Sequence, residues 1–380
     1  MKKRIVILGA GIGGVVVATE LAKSVGRSHE IVLVDREEYY RFAPSFVWMI
    51  VGKRVLEQIS VPIEKITKRG IRFIRGSIDS IDPVSKVVRV DGTDIQADVL
   101  VIALGATTHM EGLANVEANG HNLYTPTGAQ AIQDSRQSAK GKHMAIVVCS
   151  MPFKCPAAPY EAAMLLQSDL GGKKTNTEIS IYTPEPGPMP VAGEAVSKQV
   201  VELLDSKGIN YFPKHVVSDE SSRASLAFTD GKSASYDYLV YVPKHKAPQV
   251  LVDCGLAAAG GWVPVDMHTM ATKHPDVYVL GDSAGIMLKN GKALPKAGVF
   301  AHGQAKVVAE NIAAKLKGMS EGARYDGHGS CFIEMGKGMA SKGAGNFYAE
   351  PDPQVGVAFP TPFNHWGKVI FEKYWLNLIY

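Results

Sequence analysis

Short, continuous apolar runs separated by glycine-rich turns are the first pattern along the chain. The run from Arg4 to Leu8 predicts a buried strand, and the glycine-rich segment from Gly9 to Gly14 follows it at once. Residues 15–24 have apolar positions for the buried side of a helix, and residues 31–34 predict a second buried strand that ends in Asp35. The N-terminus therefore predicts a strand–helix–strand unit with a tight glycine turn inside it.

The glycines of this turn have the spacing G-x-G-x-x-G. Gly9 permits the tight turn, Gly11 lets the backbone approach a pyrophosphate, and Gly14 lets the helix pack on the strand. Asp35 stands 21 positions after Gly14, where an acid reaches a ribose hydroxyl, and Arg36 follows it. We therefore predict a dinucleotide site, with these five residues as cofactor contacts.

A second sheet is predicted further along the chain. Residues 143–149 form an apolar strand, so a second glycine motif is expected after it. The sequence there is instead Ser150 to Pro156, and no glycine lies between Gly141 and Gly171. A proline-rich turn lacks the small residues and N–H donors that hold a pyrophosphate. The second unit is therefore predicted to lack a pyridine-nucleotide loop.

Composition and charge exclude several other classes of protein. The 380 residues suggest two or three domains, and 46% hydrophobic with 21% charged residues is ordinary for a globular protein. A net charge of +4 without a basic run gives no reason to expect a nucleic-acid partner. Four cysteines exclude a disulfide scaffold, and no apolar run is long enough to span a bilayer. No signal peptide is recognised, which favours the cytoplasmic side.

The cysteines divide into two groups. Cys149 and Cys254 lie in apolar contexts and are interpreted as small buried residues. Cys155 lies in a turn before a predicted helix, where a thiol pKa is expected to be lowered, and Cys331 lies in a glycine-rich segment that is expected to be a flexible loop. The last two are either a functional pair or unrelated thiols. Their spacing matches neither C-x-x-C nor a zinc site, and no metal is expected.

Two further strands resemble those of flavoproteins with two dinucleotide folds. Residues 98–104 end at Gly105, and residues 277–280 end at Gly281 and Asp282. The resemblance implies an α/β protein with two Rossmann-like dinucleotide-binding domains and a C-terminal amphipathic helical segment. Residues 1–106 and 261–320 would form a split FAD domain, with Gly105 at its exit and Asp282 on the ribityl chain. Residues 107–260 would form the inserted domain, and residues 321–380 a redox-cysteine loop and a terminal helix.

A closer resemblance is carried by two motifs and a cysteine. Residues 152–161, with Cys155, resemble the first redox-cysteine motif of the sulfide:quinone oxidoreductase and flavocytochrome c sulfide dehydrogenase family, and Cys331 falls where that family has its second. Lys296, Ala297 and Gly298 resemble its motif at the flavin ring. The resemblance implies oxidation of sulfide to sulfane sulfur by the two cysteines, with Cys331 on the flavin side. Non-covalent FAD is expected because no cysteine lies in residues 39–45 or 107–127.

The C-terminal segment suggests the electron acceptor. Apolar side chains recur at helical spacing from Phe363 onward, which suits a membrane interface. The segment also resembles the membrane helix of sulfide:quinone oxidoreductases, with a membrane quinone as acceptor and a peripheral location at the membrane. The residues expected to contact quinone or membrane are Phe363, Trp366, Lys368, Phe371 and Tyr374. The alternative is that this helix simply covers the core.

Several functions remain open at this stage. A flavin subunit that donates electrons to a cytochrome partner, a type II NADH:quinone oxidoreductase and an FAD-bound interaction protein are the alternatives. Glu161 is either a proton-transfer group or a surface residue that compensates a helix dipole. The quinone type, the length of the sulfur product and assembly into a homo-oligomer stay undetermined.

Overall fold

The structure, a computed structural model, describes residues 1–379. The side chains of residues 172, 173, 378 and 379 are not described, so the end of the apolar C-terminal pattern lies outside the described residues. Nine α-helices occur in this part of the chain: α1 (Ile12–Val25), α2 (Phe46–Met49), α3 (Ala114–Asn119), α4 (Pro126–Ser135), α5 (Ala158–Leu170), α6 (Glu194–Ser206), α7 (Gln249–Asp253), α8 (Gly298–Leu316) and α9 (Pro362–Tyr374).

A five-stranded parallel sheet forms the first layer. Its strands are, in spatial order, Val277–Val279, Val99–Ile102, Arg4–Leu8, Glu30–Asp35 and Arg72–Arg75. The central strands are almost entirely buried, as their continuous apolar sequence predicts. One strand comes from late in the chain, so this sheet is assembled from two separate parts of the sequence.

A second parallel sheet of five strands lies in the middle of the chain. Its spatial order is His121–Asn122, Tyr238–Val242, His143–Val148, Glu178–Tyr182 and Ile209–Phe212. Together with the first sheet and the C-terminal helix α9, it confirms the predicted fold class. The exact domain boundaries given above stay a prediction.

Short strands, antiparallel except for the parallel pair Val263–Pro264 and Ala284–Gly285, complete these two units. The chain crosses between them on Thr107–His109 and Lys244–Lys246, which pair with each other. The other short strands are Tyr39–Arg41, Ser60–Pro62, Ile78–Asp82, Val87–Val90, Thr93–Gln96, Ser225–Ala227, Ser233–Ser235, Val263–Pro264 and Ala284–Gly285.

The segment around Cys331 is a strand, so the predicted flexible loop is wrong. His328–Gly336, Met339–Asn346 and Gln354–Val357 form an antiparallel sheet, in which Cys331 is paired with Gly343. The glycines here serve close packing rather than mobility. A Cβ on Gly329 would lie 2.6 Å from the ring of Phe300, and one on Gly345 would lie 2.1 Å from a backbone oxygen of the neighbouring strand.

Candidate active site

The glycine loop after the first strand has the shape of a phosphate cradle. Gly9 has a φ of +96°, and a Cβ there would lie 2.5 Å from the carbonyl oxygen of Ala103. A Cβ on Gly14 would lie 1.8 Å from the carbonyl oxygen of Gly9. Apart from Gly11 itself and its two chain neighbours, no described atom lies within 4 Å of where Gly11 would carry a Cβ, just before α1 begins at Ile12. This open space at a helix N-terminus suits a pyrophosphate.

Asp35 lies beside this cradle at the end of the neighbouring strand. Its two carboxylate oxygens accept hydrogen bonds from the backbone N–H groups of Ala10 (2.6 Å) and Glu37 (2.9 Å). Burial raises the pKa of Asp35, and these N–H groups oppose the rise. Each oxygen keeps a lone pair for a ribose hydroxyl. Arg36 is largely exposed and lies 3.7 Å from the Glu37 carboxylate, so its cofactor contact stays a prediction.

Asp282 and Lys296 form the opposite part of the site. Burial raises the pKa of Asp282 against the influence of Lys154 and Lys296. Burial also lowers the pKa of Lys296 to about 8, and its ammonium donates to the carbonyl oxygen of Ala284 (2.6 Å) above the ring of Trp262. No described donor hydrogen-bonds the Asp282 carboxylate, which leaves it available to a cofactor hydroxyl.

Two further contacts join these parts. The Ser283 hydroxyl donates to the carbonyl oxygen of Gly105 at 2.7 Å, which ties the exit of the first sheet to the segment that carries the buried acid. Helix α8 begins at Gly298 after Ala297, and a Cβ on Gly298 would lie 2.4 Å from Cδ1 of Ile12 at the start of α1. Two adjacent helix N-termini and two acids fit the phosphates and hydroxyls of FAD.

Cys155 lies in the turn between the second sheet and α5, where it is held against the segment that carries Lys296. Its φ is +50°, which is uncommon for a residue other than glycine. Its backbone N–H donates to the carbonyl oxygen of Lys296 at 2.6 Å. Its own carbonyl oxygen accepts from the Tyr124 hydroxyl at 3.1 Å and from the backbone N–H of Ala158 at 2.9 Å. The turn is therefore fixed relative to the cofactor cradle.

One cavity contains both Cys155 and Cys331. It has about 980 Å³ of empty space, part of which is open to solvent. Helix α5 packs on the strand that carries Cys331, which brings the two cysteines together although neither sulfur is bonded here. The walls are mainly apolar and include Phe153, Val191, Val299, Phe300, Ile333 and Phe347.

The expected lowering of the Cys155 pKa is wrong. Burial raises the pKa of this thiol, and the nearby Cys331 and Glu161 add to the rise. Burial likewise raises the pKa of Cys331 to about 11, even though the side chain opens onto the cavity. The lowering of the pKa expected from the helix N-terminus is outweighed, because the apolar surroundings disfavour the thiolate. Lys368 is the described cation that opposes the rise at both sulfurs.

The same cavity explains why the second unit has no nucleotide loop. Residues 151–157 replace the glycine turn, and the C-terminal sheet forms the facing wall. Glu185, which follows the strand Glu178–Tyr182, also lines this cavity. It accepts hydrogen bonds from the hydroxyls of Tyr160 and Thr183, and burial raises its pKa to about 7. Glu185 is not among the site residues predicted from the sequence, although an acid just after the second strand of such a sheet is a recognisable signal.

A buried ion pair lies beside the cysteines. Nζ of Lys368 on α9 donates to Oε1 of Glu161 on α5 at 2.7 Å, and the same oxygen accepts from the backbone N–H of Glu334 at 2.8 Å. Burial raises the pKa of Glu161. Burial alone would lower the pKa of Lys368, but the two carboxylates raise it overall. The interpretation of Glu161 as a surface residue is therefore wrong.

Helix α9 turns its apolar side to solvent and its charged side inward. The exposed fractions are 86% for Phe363, 60% for Trp366, 66% for Ile370 and 47% for Tyr374. These four side chains, with Phe359, are called the exposed apolar face. Phe363, Trp366, Ile370 and Tyr374 are three and four positions apart, which places these four on one side of the helix, and Phe359 precedes the helix. The alternative that the whole helix covers the core does not account for them.

The charged side of α9 fastens it to the rest of the molecule. Glu372 accepts hydrogen bonds from the Arg54 guanidinium at 2.8 Å and from the Ser45 hydroxyl at 2.5 Å. Phe371 packs on Phe42 with ring centres 5.8 Å apart. Lys368 is 5% exposed, so the expectation that it contacts the membrane surface is wrong, because Glu161 holds it inside. Among the described residues, no helix is both long and apolar enough to cross a bilayer.

Comparisons with known proteins agree with this geometry. Residues 3–305 match the family model of pyridine nucleotide-disulphide oxidoreductases. A sulfide-quinone reductase of Aquifex aeolicus is 26% identical over an alignment that covers 99% of this chain and 91% of the relative. A mitochondrial sulfide:quinone oxidoreductase of Mus musculus is 23% identical, with 91% and 79% covered. The solved structure of the sulfide:quinone oxidoreductase from Aquifex aeolicus superposes with a TM-score of 0.89 at 23% identity, covering 99% of this chain and 91% of that one.

The fold and the cofactor cradle define a flavin-dependent oxidoreductase. The chain belongs to the pyridine nucleotide-disulphide oxidoreductase family, and FAD is its cofactor. The resemblance stated from the sequence is thereby confirmed, as is the expectation that the chain is an enzyme.

Proposed function

We propose that this protein oxidises sulfide to sulfane sulfur with Cys155 and Cys331 and passes the electrons through FAD to a membrane quinone. The observation that carries the proposal is the position of the two cysteines. They are far apart in sequence, yet they line one apolar cavity whose wall also includes Lys296 of the cofactor site. The names of the similar proteins support the same substrate and acceptor.

On the sulfur side, a disulfide between Cys155 and Cys331 is the group that hydrosulfide attacks. The sulfur–sulfur bond breaks, one sulfur becomes a persulfide, and the other leaves as a thiolate. Burial disfavours that thiolate, and Lys368 offsets this effect because it is the cation that lowers the pKa of both thiols. Glu161, hydrogen-bonded to Lys368, takes up the hydrosulfide proton. FAD, when bound, supplies the two-electron acceptor that connects this chemistry to quinone.

The apolar cavity suits the product. Sulfane sulfur carries no charge, and Glu185 and Lys296 are the described charged side chains on the cavity wall. The Lys296 ammonium is already committed to a carbonyl oxygen, and Glu185 to two hydroxyls. Moving neutral sulfur atoms from water into this cavity therefore costs little free energy, whereas water molecules find few hydrogen-bond partners there.

On the electron-acceptor side, the exposed apolar face of α9 supports contact with a membrane. Phe363, Trp366 and Tyr374 are the expected contacts, and Phe371 lies between them and the core. Aromatic side chains on an amphipathic helix are typical of proteins that lie on a bilayer without crossing it. Location at the cytoplasmic side stays a prediction.

The proposal is tested by the choice of reductant. Purified enzyme with FAD is mixed anaerobically with sulfide or with NADH, the flavin absorbance is followed, and decylubiquinone is then added. We expect sulfide to bleach the flavin and quinone to restore it, with no useful rate from NADH because residues 150–156 replace the nucleotide loop. Rapid bleaching by NADH would instead assign the protein to the NADH:quinone oxidoreductases.

A further inference from the structure

A histidine–carboxylate pair lies between the Glu161–Lys368 ion pair and the exposed apolar face. Nδ1 of His365 is 2.9 and 3.0 Å from the two carboxylate oxygens of Glu334, a residue with no exposed surface. The backbone N–H of Glu334 in turn donates to Glu161. The His365 ring also lies 6.0 Å from the ring of Trp366 on the exposed apolar face. The pair thus connects the charged interior with the surface at which quinone is expected.

The geometry sets which nitrogen of His365 exchanges protons. A carboxylate only accepts, so Nδ1 carries a hydrogen and donates it to Glu334. No described residue hydrogen-bonds Nε2, and the His365 side chain is 16% exposed. Other charged groups surround the His365–Glu334 pair. Glu161 lies on α5, and Lys368 and Glu372 lie on α9 itself. Arg54 lies over the ring of Trp48, which His365 also contacts. Nε2 is therefore the exchangeable position.

The proton balance of the proposed function gives this nitrogen a role. Hydrosulfide, quinone and one proton yield sulfane sulfur and quinol. Hydrosulfide supplies two electrons and one of the two protons that quinol carries, so the other comes from solvent. Lys368 does not deliver it, because its ammonium is buried and held by Glu161.

We propose that His365, oriented by Glu334, delivers the solvent proton to the quinone oxygen at the exposed apolar face. Nε2 gives up its proton to the reduced quinone and takes another from solvent, while Nδ1 keeps its hydrogen bond to Glu334. This inference rests on the proposed function. It adds a residue that the sequence pattern of α9 does not single out.

The test isolates the quinone half of the reaction. Enzyme-bound FAD is reduced with dithionite, and its reoxidation by decylubiquinone is followed from pH 6 to pH 9. General acid catalysis contributes about 100-fold or more, so His365→Ala should slow reoxidation by about that factor at pH 6. The wild-type rate should fall as pH rises, because the proposed step consumes a proton from solvent, and the rate of the variant that lacks this donor should stay flat. Added imidazole should restore part of the activity of His365→Ala.

Two further measurements separate proton delivery from a structural role. Quenching of tryptophan fluorescence by the quinone should give a dissociation constant within about threefold of the wild type. His328→Ala is the matched control, because His328 also binds a carboxylate through Nδ1, at 2.9 Å from Asp326, but its side chain is largely exposed. This control should leave reoxidation unchanged. If His365→Ala does not fold, Glu334→Gln keeps the shape and should show the same weakened pH dependence.

Three results would overturn the inference. The first is a His365→Ala enzyme whose flavin is reoxidised within about threefold of the wild-type rate across the pH range. The second is a pH-independent loss of the reoxidation rate that follows weaker quinone binding. The third is a failure of imidazole to restore any activity to His365→Ala. Because the assay starts from dithionite, it remains valid even if sulfide fails to reduce the wild-type flavin. That separate result would contradict the proposed function instead.

Discussion

Replacing Lys368 by methionine removes half of an ion pair that has almost no contact with solvent. Nζ of Lys368 lies 2.7 Å from Oε1 of Glu161, and the two side chains are 6% and 4% exposed. Removing one partner of such a pair costs about 3–5 kcal/mol, because the other charge stays buried and uncompensated. A chain of 380 residues has an unfolding entropy of about 0.8 kcal/mol/K, so Tm should fall by roughly 4–6 °C.

The loss should depend on pH in a direction that the structure sets. Burial raises the pKa of Glu161, and Lys368 opposes that rise. Without Lys368 the pKa of Glu161 in the folded protein rises further, so the folded variant binds a proton more tightly than the unfolded chain does. Its stability is then retained at acid pH and lost as pH rises through the folded-state pKa. The deficit in Tm should therefore be larger at pH 8 than at pH 5.

Differential scanning calorimetry of the FAD-loaded protein at both pH values measures this effect. Lys373→Met is the matched control, because Lys373 is an exposed lysine on the same helix, and it should change stability by about 0.5 kcal/mol or less. The double variant Glu161→Gln/Lys368→Met should recover most of the loss, since no buried charge then remains. A deficit below about 1 °C, or an equal deficit at pH 5 and pH 8, would refute the reasoning.

Three other predictions follow from the cofactor cradle and from α9. Acid precipitation should release all the flavin, and yellow colour that stays with the pellet would show a covalent bond. Gly11→Ala should leave the apoprotein as stable as wild type but lower FAD affinity at least tenfold, whereas Gly14→Ala should also destabilise the apoprotein, because its Cβ would lie 1.8 Å from a backbone oxygen. Isothermal titration measures the FAD affinity and thermal melts measure the stability of the apoprotein. The same affinity and the same stability in both variants would contradict the assignment of this loop as the phosphate cradle. Replacing Phe363, Trp366 and Ile370 by serine should weaken binding to lipid vesicles about 1,000-fold, since each substitution loses roughly 1.5 kcal/mol of apolar transfer free energy. Tm should change by no more than a few degrees. Unchanged cosedimentation with vesicles would show that the exposed apolar face does not contact the bilayer.

The parts of the fold that could be predicted are those whose signal is contiguous. The first strand, the glycine loop, α1 and Asp35 lie within the first 35 residues, and each supports the interpretation of the next. The strand before Cys155 and the lack of a glycine turn after it were visible for the same reason. Helix α9 was predictable because its apolar positions recur at helical spacing.

The remaining features depend on contacts between distant parts of the chain. Glu161 and Lys368 are 207 positions apart, and nothing in either local sequence reveals that they meet. The sequence therefore places Lys368 among the quinone or membrane contacts, although it is buried. Cys331 was misplaced in a loop because glycine indicates either mobility or close approach, and only the position of Phe300 against Gly329 decides between them.

The thiol pKa values could not be predicted for a similar reason. A helix N-terminus is visible in the sequence before Cys155, whereas the apolar walls that raise its pKa come from several separate segments. From the sequence alone, the effect of the helix N-terminus on the thiol pKa is therefore overestimated relative to the effect of burial. The same tertiary assembly places Glu185 and Cys331 on one cavity.

The central claim, that Cys155 and Cys331 act as one unit, is tested most directly by stopped-flow bleaching of the flavin by sulfide in cysteine variants. Cys155→Ser and Cys331→Ser should each lose at least about 1,000-fold in rate, and the double variant should be little worse, because members of one catalytic unit are not additive. Cys149→Ser and Cys254→Ser, with FAD bound, should reduce at the wild-type rate. A Cys331→Ser enzyme that binds FAD and is bleached by sulfide at the wild-type rate would contradict the account.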